Sequence, residues 1–273
     1  RVSLFDAAFP GTLPALNASA VDQAVKTALV LGCRVHKRSV FERKHYFYSD
    51  LPHGYQITQN RHPIATGGLL PLVYGPGLSR NEAKKRTTRK YRKWVKDPTL
   101  DRPPDEDQDQ DDNQPAELLC VGINRIQLEV DSGKSLHDRS HPQGPPQSLV
   151  DLNRAGAALM EIVFEPEVRS AEEAAALVRS LQLLLRRVGT CDGNMEDGSM
   201  RWDLNISLRP HGKEDLMGER VEVKNMNSVR HTVTAVKKES QRQARLLEQG
   251  EGPIERETRT FDALKVQQAN GYC

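Results

Sequence analysis

Three of the four strand-like stretches beyond residue 120 repeat with a period of two, and that period constrains the fold more than any other feature of the chain. "GINRIQLEVD" (122–131) sets Arg125, Gln127, Glu129 and Asp131 against Ile126, Leu128 and Val130. "RWDLNISLRP" (201–210) sets Asp203, Asn205 and Ser207 against Trp202, Leu204, Ile206 and Leu208, and "RVEVKN" sets Glu222 and Lys224 against Val221 and Val223. "AALMEIVFE" (157–165) is a short apolar run with one acid, Glu161, in its middle. Alternation of this kind sends successive side chains to opposite faces of a strand, and the apolar face must then be covered. The cover is supplied by helices. Ser170 with Glu173 three residues on opens one that closes near Gly189, and an amphipathic helix spans about 228 to 249. Upstream, Ser19 with Asp22 resembles a capping box for a helix running to about Gly32. The expected class is α+β, a largely antiparallel sheet with packed helices.

The 273 residues suffice for one large or two ordinary domains, and a mean hydropathy of −0.63 with no apolar run near a membrane span fits a water-soluble chain. A net charge of +2 conceals segregation: residues 84–96 hold eight Lys or Arg, and 101–112 hold seven Asp or Glu. Residues 97–117 offer almost nothing to bury and read as a disordered insertion. The basic run before them reads first as a solvated tether and second as a contact for RNA phosphates. Cys33, Cys120, Cys191 and Cys273 show neither C-x-x-C spacing nor His pairing, against a zinc knuckle and against a disulfide framework. The opening "RVSLFDAAFPG" has no Met and no leader, as expected of a fragment.

Gly133-Lys134-Ser135 has the ending of a phosphate-binding P-loop, but the first glycine of that pattern would stand at Leu128, inside a strand. The carboxylates are more informative. A lone ionised acid inside "ALMEIVF" is costly without a cation, hydrogen bonds or a shifted pKa, so Glu161 is expected nearly buried. A salt bridge from Arg125 or Arg201 would satisfy it alone. Taken together, Glu129, Glu161, Asp203 and Glu222 are expected to face a common cavity and hold a hard cation. Oxygen ligands without His or Cys suit Mg²⁺, and phosphoryl transfer from ATP is the natural chemistry, with Lys44 or Lys224 neutralising charge. Tyr46, Phe47, Tyr48 and Tyr55 are four of the 14 aromatics; they read equally as core packing or, with Arg43 and Lys44, as a face for an anionic or base-bearing ligand.

At "IQLEVDSGKSLHD", "VDLNRAGAALMEIVFEPEVRS", "GNMEDGSMRWDLNISLRP" and "VEVKNMNS" the chain resembles the GatB family, B subunits of aspartyl/glutamyl-tRNA amidotransferases. "FPGTLPALN", "RKHYFYSDLPHGYQITQ" and "ETRTFD" extend the resemblance, and Gln127 with "DSGKSLHD" is similar to the animal mitochondrial branch, implying the mitochondrial matrix. The resemblance implies a cradle-type catalytic domain, truncated at both ends: residues 1–75 as its first part, 76–117 as an insertion, 118–262 as the remainder and 263–273 as a divergent tail. It implies a component of a ligase that phosphorylates Glu-tRNA(Gln) with ATP and Mg²⁺ and passes it to ammonia from a partner amidase, the A subunit, in a complex with a small C subunit. Glu129, Glu161 and Lys44 then fall on catalytic positions, with Glu129, Glu161, Asp203 and Glu222 as metal ligands and Lys224, Asn205 and Asn225 as nucleotide contacts. Val130 replaces a second acid of the bacterial pattern, the family's Glu-x-His strand lies before Arg1, no zinc is expected because "FDAAFPG" lacks paired cysteines, and the match ends after Asp262. These departures leave an alternative, a catalytically inactive RNA-binding or scaffold fragment of the same fold.

Overall fold

The computed structural model describes residues 2–74, 117–138, 147–209, 218–250 and 253–262. The charged insertion, apart from Glu117, and the tail from 263 lie outside the described residues. The chain divides into two compact units, residues 1–69 with 122–166 and residues 70–121 with 167–273.

The first unit is built on β6 (Glu117–Val130), whose residues from Gly122 onward belong to it. Here β6 pairs antiparallel with β9 (Ala158–Phe164) on one side and β4 (Ala65–Thr66) on the other, and β1 (Arg34–Val35) pairs with β4. A register shift between Ile123 and Arg125 places Gln127 opposite Glu161 and Glu129 opposite Leu159. Helix α1 (Ala18–Val30) packs on β1 and β9, burying only the small side chains Ala24, Thr27 and Ala28. Its cap is Asn17, whose side chain accepts from the Ser19 N–H at 2.9 Å, so Ser19 sits inside the first turn instead of capping it. A hairpin of β2 (Glu42–His45) and β3 (Tyr55–Thr58) stands beside this sheet, and every residue of β3 is buried. A second hairpin joins β7 (Lys134–Asp138) to β8 (Gln147–Asp151).

In the second unit β5 (Leu69–Tyr74) pairs with the start of β6. A three-stranded sheet sets β10 (Leu204–Ile206) antiparallel and β12 (Thr258–Thr260) parallel to β11 (Val221–Lys224). Its alternation is the one read from sequence. Ile206 and Val223 join Met226, Ala235 and Phe261 in a buried cluster under helix α3 (Val229–Gln249), while Asn205 and Lys224 are exposed and Glu222 half-buried on the other face. The strand expected over 201–210 is confined to 204–206; Trp202 lies outside it and instead donates its indole N–H to Thr232 Oγ1 at 2.9 Å. Helix α2 (Ala171–Val188) packs against α3. It is capped as expected: Ser170 accepts from the Glu173 N–H, Glu173 accepts from the Arg169 N–H, and Gly189 closes it at φ 77°. α+β is therefore the observed class, with mostly antiparallel pairing divided among several small sheets. No described helix is long and apolar enough to cross a membrane.

The structure gives Gly133 a role other than phosphate binding. A Cβ there would stand 2.8 Å from both the Asp151 carbonyl oxygen and Leu152 Cδ2, and the Gly133 N–H donates to the Asp50 carbonyl at 2.8 Å. The glycine lets two backbones close on the turn after β6. Gly133→Ala should destabilise the full-length protein by about 1–3 kcal/mol, read as a lower denaturant midpoint at unchanged slope; an unchanged midpoint would mean that this packing is slack.

Candidate carboxylate site

Glu129 and Glu161 reach each other across β6 and β9 because Gln127 lies between them. Gln127 and Glu129 are two residues apart on one face of β6, and Glu161 stands opposite Gln127 on β9. The Gln127 amide nitrogen donates to Glu129 Oε1 at 3.0 Å and to Glu161 Oε2 at 2.6 Å. Its oxygen accepts from Arg125 Nε at 2.7 Å, so the arginine expected to pair with Glu161 is directed to the glutamine instead. From β3, Thr58 Oγ1 donates to Glu129 Oε1 at 2.6 Å and Gln56 Nε2 to the Val130 carbonyl at 2.6 Å. Gln59 Oε1, just past β3, accepts from the Leu128 N–H at 3.0 Å.

Burial is distributed differently from the sequence expectation. Glu129 is 9% exposed and Gln127 4%, whereas Glu161 is exposed. An apolar run suggests a buried strand, but among the described residues β9 pairs only with β6 and none of its residues is fully covered. The buried acid is thus Glu129. Desolvation pushes its pKa above the ordinary carboxyl value; the Thr58 hydrogen bond works against this, the neighbouring Glu161 charge adds to it, and the Lys44 ammonium opposes it. Glu129 and Glu161 are also close enough for one carboxyl to hydrogen-bond the other. Lys44 is exposed on β2 opposite Gln56, in the same unit as Glu129 and Glu161. Tyr46 experiences the same negative field: burial first, then Asp50, Glu129 and Asp131, raise its phenol pKa. Asp131, at the end of β6, lies 3.7 Å from Arg154.

The aromatic stretch is only partly buried. Tyr55 is buried, with the Arg43 guanidinium 4.4 Å above its ring centroid, while Phe47 and Tyr48 are 89% and 67% exposed.

The remaining expected residues belong to the second unit. Lys224 Nζ lies 3.1 Å from Asp203 Oδ2 and 3.3 Å from Glu222 Oε1. Burial disfavours its charge, but these two carboxylates outweigh burial and raise its pKa. Thr258 Oγ1 donates to Glu222 at 2.9 Å, and Asn205 faces Glu222 across the strands. Asn225 adopts φ 70° and donates to the Phe261 carbonyl, which accounts for it as the residue turning the chain out of β11. Among the described residues, no three His, Cys, Asp or Glu side chains gather into one metal-holding group. A pair does gather. One or two carboxylates with substrate phosphates are the usual protein share of a Mg²⁺ site, and the oxygen donors of Glu129 and Glu161 fit the chemistry of that group.

Gln127, Thr58 and Gln56 are site residues that the sequence reading does not single out. Gln127 carries a signal, since it falls between Arg125 and Glu129 on one face; Thr58, 71 residues from Glu129 in sequence, carries none.

The first unit gathers two acids and an amide at one face of its sheet, in an α+β chain. The family model described as the GatB/GatE catalytic domain matches residues 1–270, and the chain belongs to that family. The mitochondrial B subunit of the glutamyl-tRNA(Gln) amidotransferase of Phytophthora infestans is 45% identical over 97% of this chain and 49% of its own length. The B subunit of the aspartyl/glutamyl-tRNA(Asn/Gln) amidotransferase of Rhodospirillum rubrum is 45% identical over 97% of this chain and 45% of its own length. A mitochondrial glutamyl-tRNA(Gln) amidotransferase B subunit from Aedes aegypti is 47% identical over 96% and 42%. The chain thus spans less than half the length of these relatives, and mitochondrial and bacterial ones are equally similar.

A raised carboxyl pKa fixes the sign of a pH effect. The folded state holds the Glu129 proton more tightly than the unfolded state, so stability is greatest below the ordinary 4.5 and falls as pH rises through the higher folded value. In the full-length protein stripped of divalent cations, Glu129→Gln should therefore stabilise at pH 8 by on the order of 1 kcal/mol, roughly 2–4 °C in Tm. A Tm lowered by that much would mean that the fold requires the charge.

Proposed function

We propose that this chain is the phosphorylating part of a glutamyl-tRNA(Gln) amidotransferase B subunit, acting in organellar translation of the mitochondrial type. The observation that carries the reading is the pair formed by Glu129 and Glu161, with the Lys44 charge acting on Glu129, in a chain of the GatB/GatE catalytic family. ATP and Mg²⁺ are the cofactors it implies. The bound cation would supply charge neutralisation at the phosphates of ATP. Glu129 and Glu161 would hold it, and the Lys44 ammonium would balance the negative charge that develops on the transferred group. Lys224, held by Asp203 and Glu222, and the exposed Asn205 are polar groups that the second unit offers to a nucleotide.

In the proposed reaction a side-chain carboxylate oxygen of the glutamyl ester attacks the γ-phosphorus of ATP and ADP departs. Ammonia then attacks the acyl carbon, releasing phosphate and leaving Gln-tRNA(Gln). The ammonia source is the amidase, the A subunit of the complex, and a small C subunit completes the assembly; the relatives' names, those of amidotransferase B subunits, support such an assembly. The scaffold reading has less support because Glu129 and Glu161 share one neutral amide donor, whereas Asp203 and Glu222 are held in ion pairs with Lys224.

Glu161 is the residue to test, because it is exposed and its loss leaves the core intact. In the intact complex Glu161→Gln should lower ATP-dependent phosphorylation of Glu-tRNA(Gln) by at least about 100-fold (~2.7 kcal/mol) while glutaminase activity of the amidase persists. Unaltered phosphorylation would remove Glu161 from the reaction, and equal loss of both activities with an unfolded chain would assign it a structural role.

A further inference from the structure

Gln127 occupies a position that neither the carboxylate pair nor the fold alone requires. Its side chain is buried on the polar face of β6, with 4% of its surface exposed. All its hydrogen-bonding groups are directed: both carboxylates accept from the amide nitrogen, and Arg125 donates to the oxygen. A guanidinium can only donate, so Arg125 Nε fixes which end of the amide is oxygen. The NH₂ end must then face Glu129 and Glu161. The flip of an amide is ordinarily ambiguous; here chemistry decides it.

We propose that Gln127 is a positioning residue for the cation site: its amide, oriented by Arg125, ties Glu129 and Glu161 into one pair while leaving each carboxylate with acceptor sites free to face a cation. The proposal rests on the reading of these two acids as the cation-holding pair. A neutral donor suits the place for a physical reason. A lysine or arginine would gather two carboxylates equally well, but its charge would neutralise them and compete with the metal. An amide gives each acid one N–H and brings no charge. Each ionised carboxylate has about four acceptor sites, so one spent on Gln127, and on Glu129 a second on Thr58, leaves room for metal coordination. Groups that orient metal ligands in this way typically govern affinity by about 10–100-fold.

The test measures Mn²⁺ affinity by electron paramagnetic resonance in the intact, full-length complex, with folding followed by circular dichroism. Gln127→Leu removes both donors, and Gln127→Asn keeps the amide on a stem too short to span both acids. Both variants should weaken Mn²⁺ binding by about 10–100-fold with native circular dichroism, and Gln127→Asn keeps the experiment decisive if the leucine variant does not fold. Glu129→Gln and Glu161→Gln should each weaken it as well. If the two acid variants lose Mn²⁺ and the Gln127 variants bind it as the wild type does, the acids are ligands and Gln127 positions nothing. If the acid variants also bind Mn²⁺ normally, the carboxylate reading falls and the role of Gln127 falls with it.

Discussion

Two like charges held at one sheet face, one of them buried, form the constraint around which the first unit is arranged. Glu129 has lost most of its water, and Glu161 stands within hydrogen-bonding reach of it. Such a pair persists only if neutral donors, a shared proton or a cation compensate for lost hydration and mutual repulsion. The structure supplies the donors from two strands: Thr58 from β3 and Gln127 from β6, the latter held in turn by Arg125. It supplies a distant positive charge from Lys44 on β2. The register shift at Ile123/Arg125 matters because slipping β9 by one residue would put Glu161 on the opposite face, away from Gln127.

The second unit handles charge in the opposite way. Its small sheet devotes one face to a hydrophobic contact with α3 and carries Asp203, Glu222 and Lys224 as a closed set of ion pairs near the surface. On α3, Glu239 is 6% exposed, yet it stays ionised more readily than an ordinary carboxyl. Burial pushes its pKa up, but hydrogen bonds from Arg242 and Gln243 outweigh that. The comparison separates two fates for a buried acid. Glu239 has a guanidinium and is a structural anchor, whereas among the described residues Glu129 accepts from the neutral donors Thr58 and Gln127.

Much of this is legible in the sequence because period and capping are local properties. The faces of β10 and β11, the Ser170 and Gly189 ends of α2 and the span of α3 follow from residues within a few positions of one another. Glu161 misleads for the same reason. "ALMEIVF" is apolar enough for a core strand, but whether such a strand is covered depends on how many neighbours it has, and among the described residues β9 has one. Ser19 and Asn17 are both good capping acceptors, and only backbone geometry chooses Asn17. Thr58 and Gln56 meet β6 through contacts spanning more than 70 residues of sequence, and side-chain periodicity contains no information at that range.

The central claim is that Glu129 and Glu161 together hold a divalent cation. The most direct measurement is an anomalous-scattering map from crystals of the intact complex grown with Mn²⁺ and a non-hydrolysable ATP analogue. The account predicts a peak within about 2.1–2.3 Å of a carboxylate oxygen from each acid, or one water further out, with Gln127 still donating to both. A manganese peak elsewhere, with Glu129 and Glu161 bound to Gln127 and not to the metal, would contradict it.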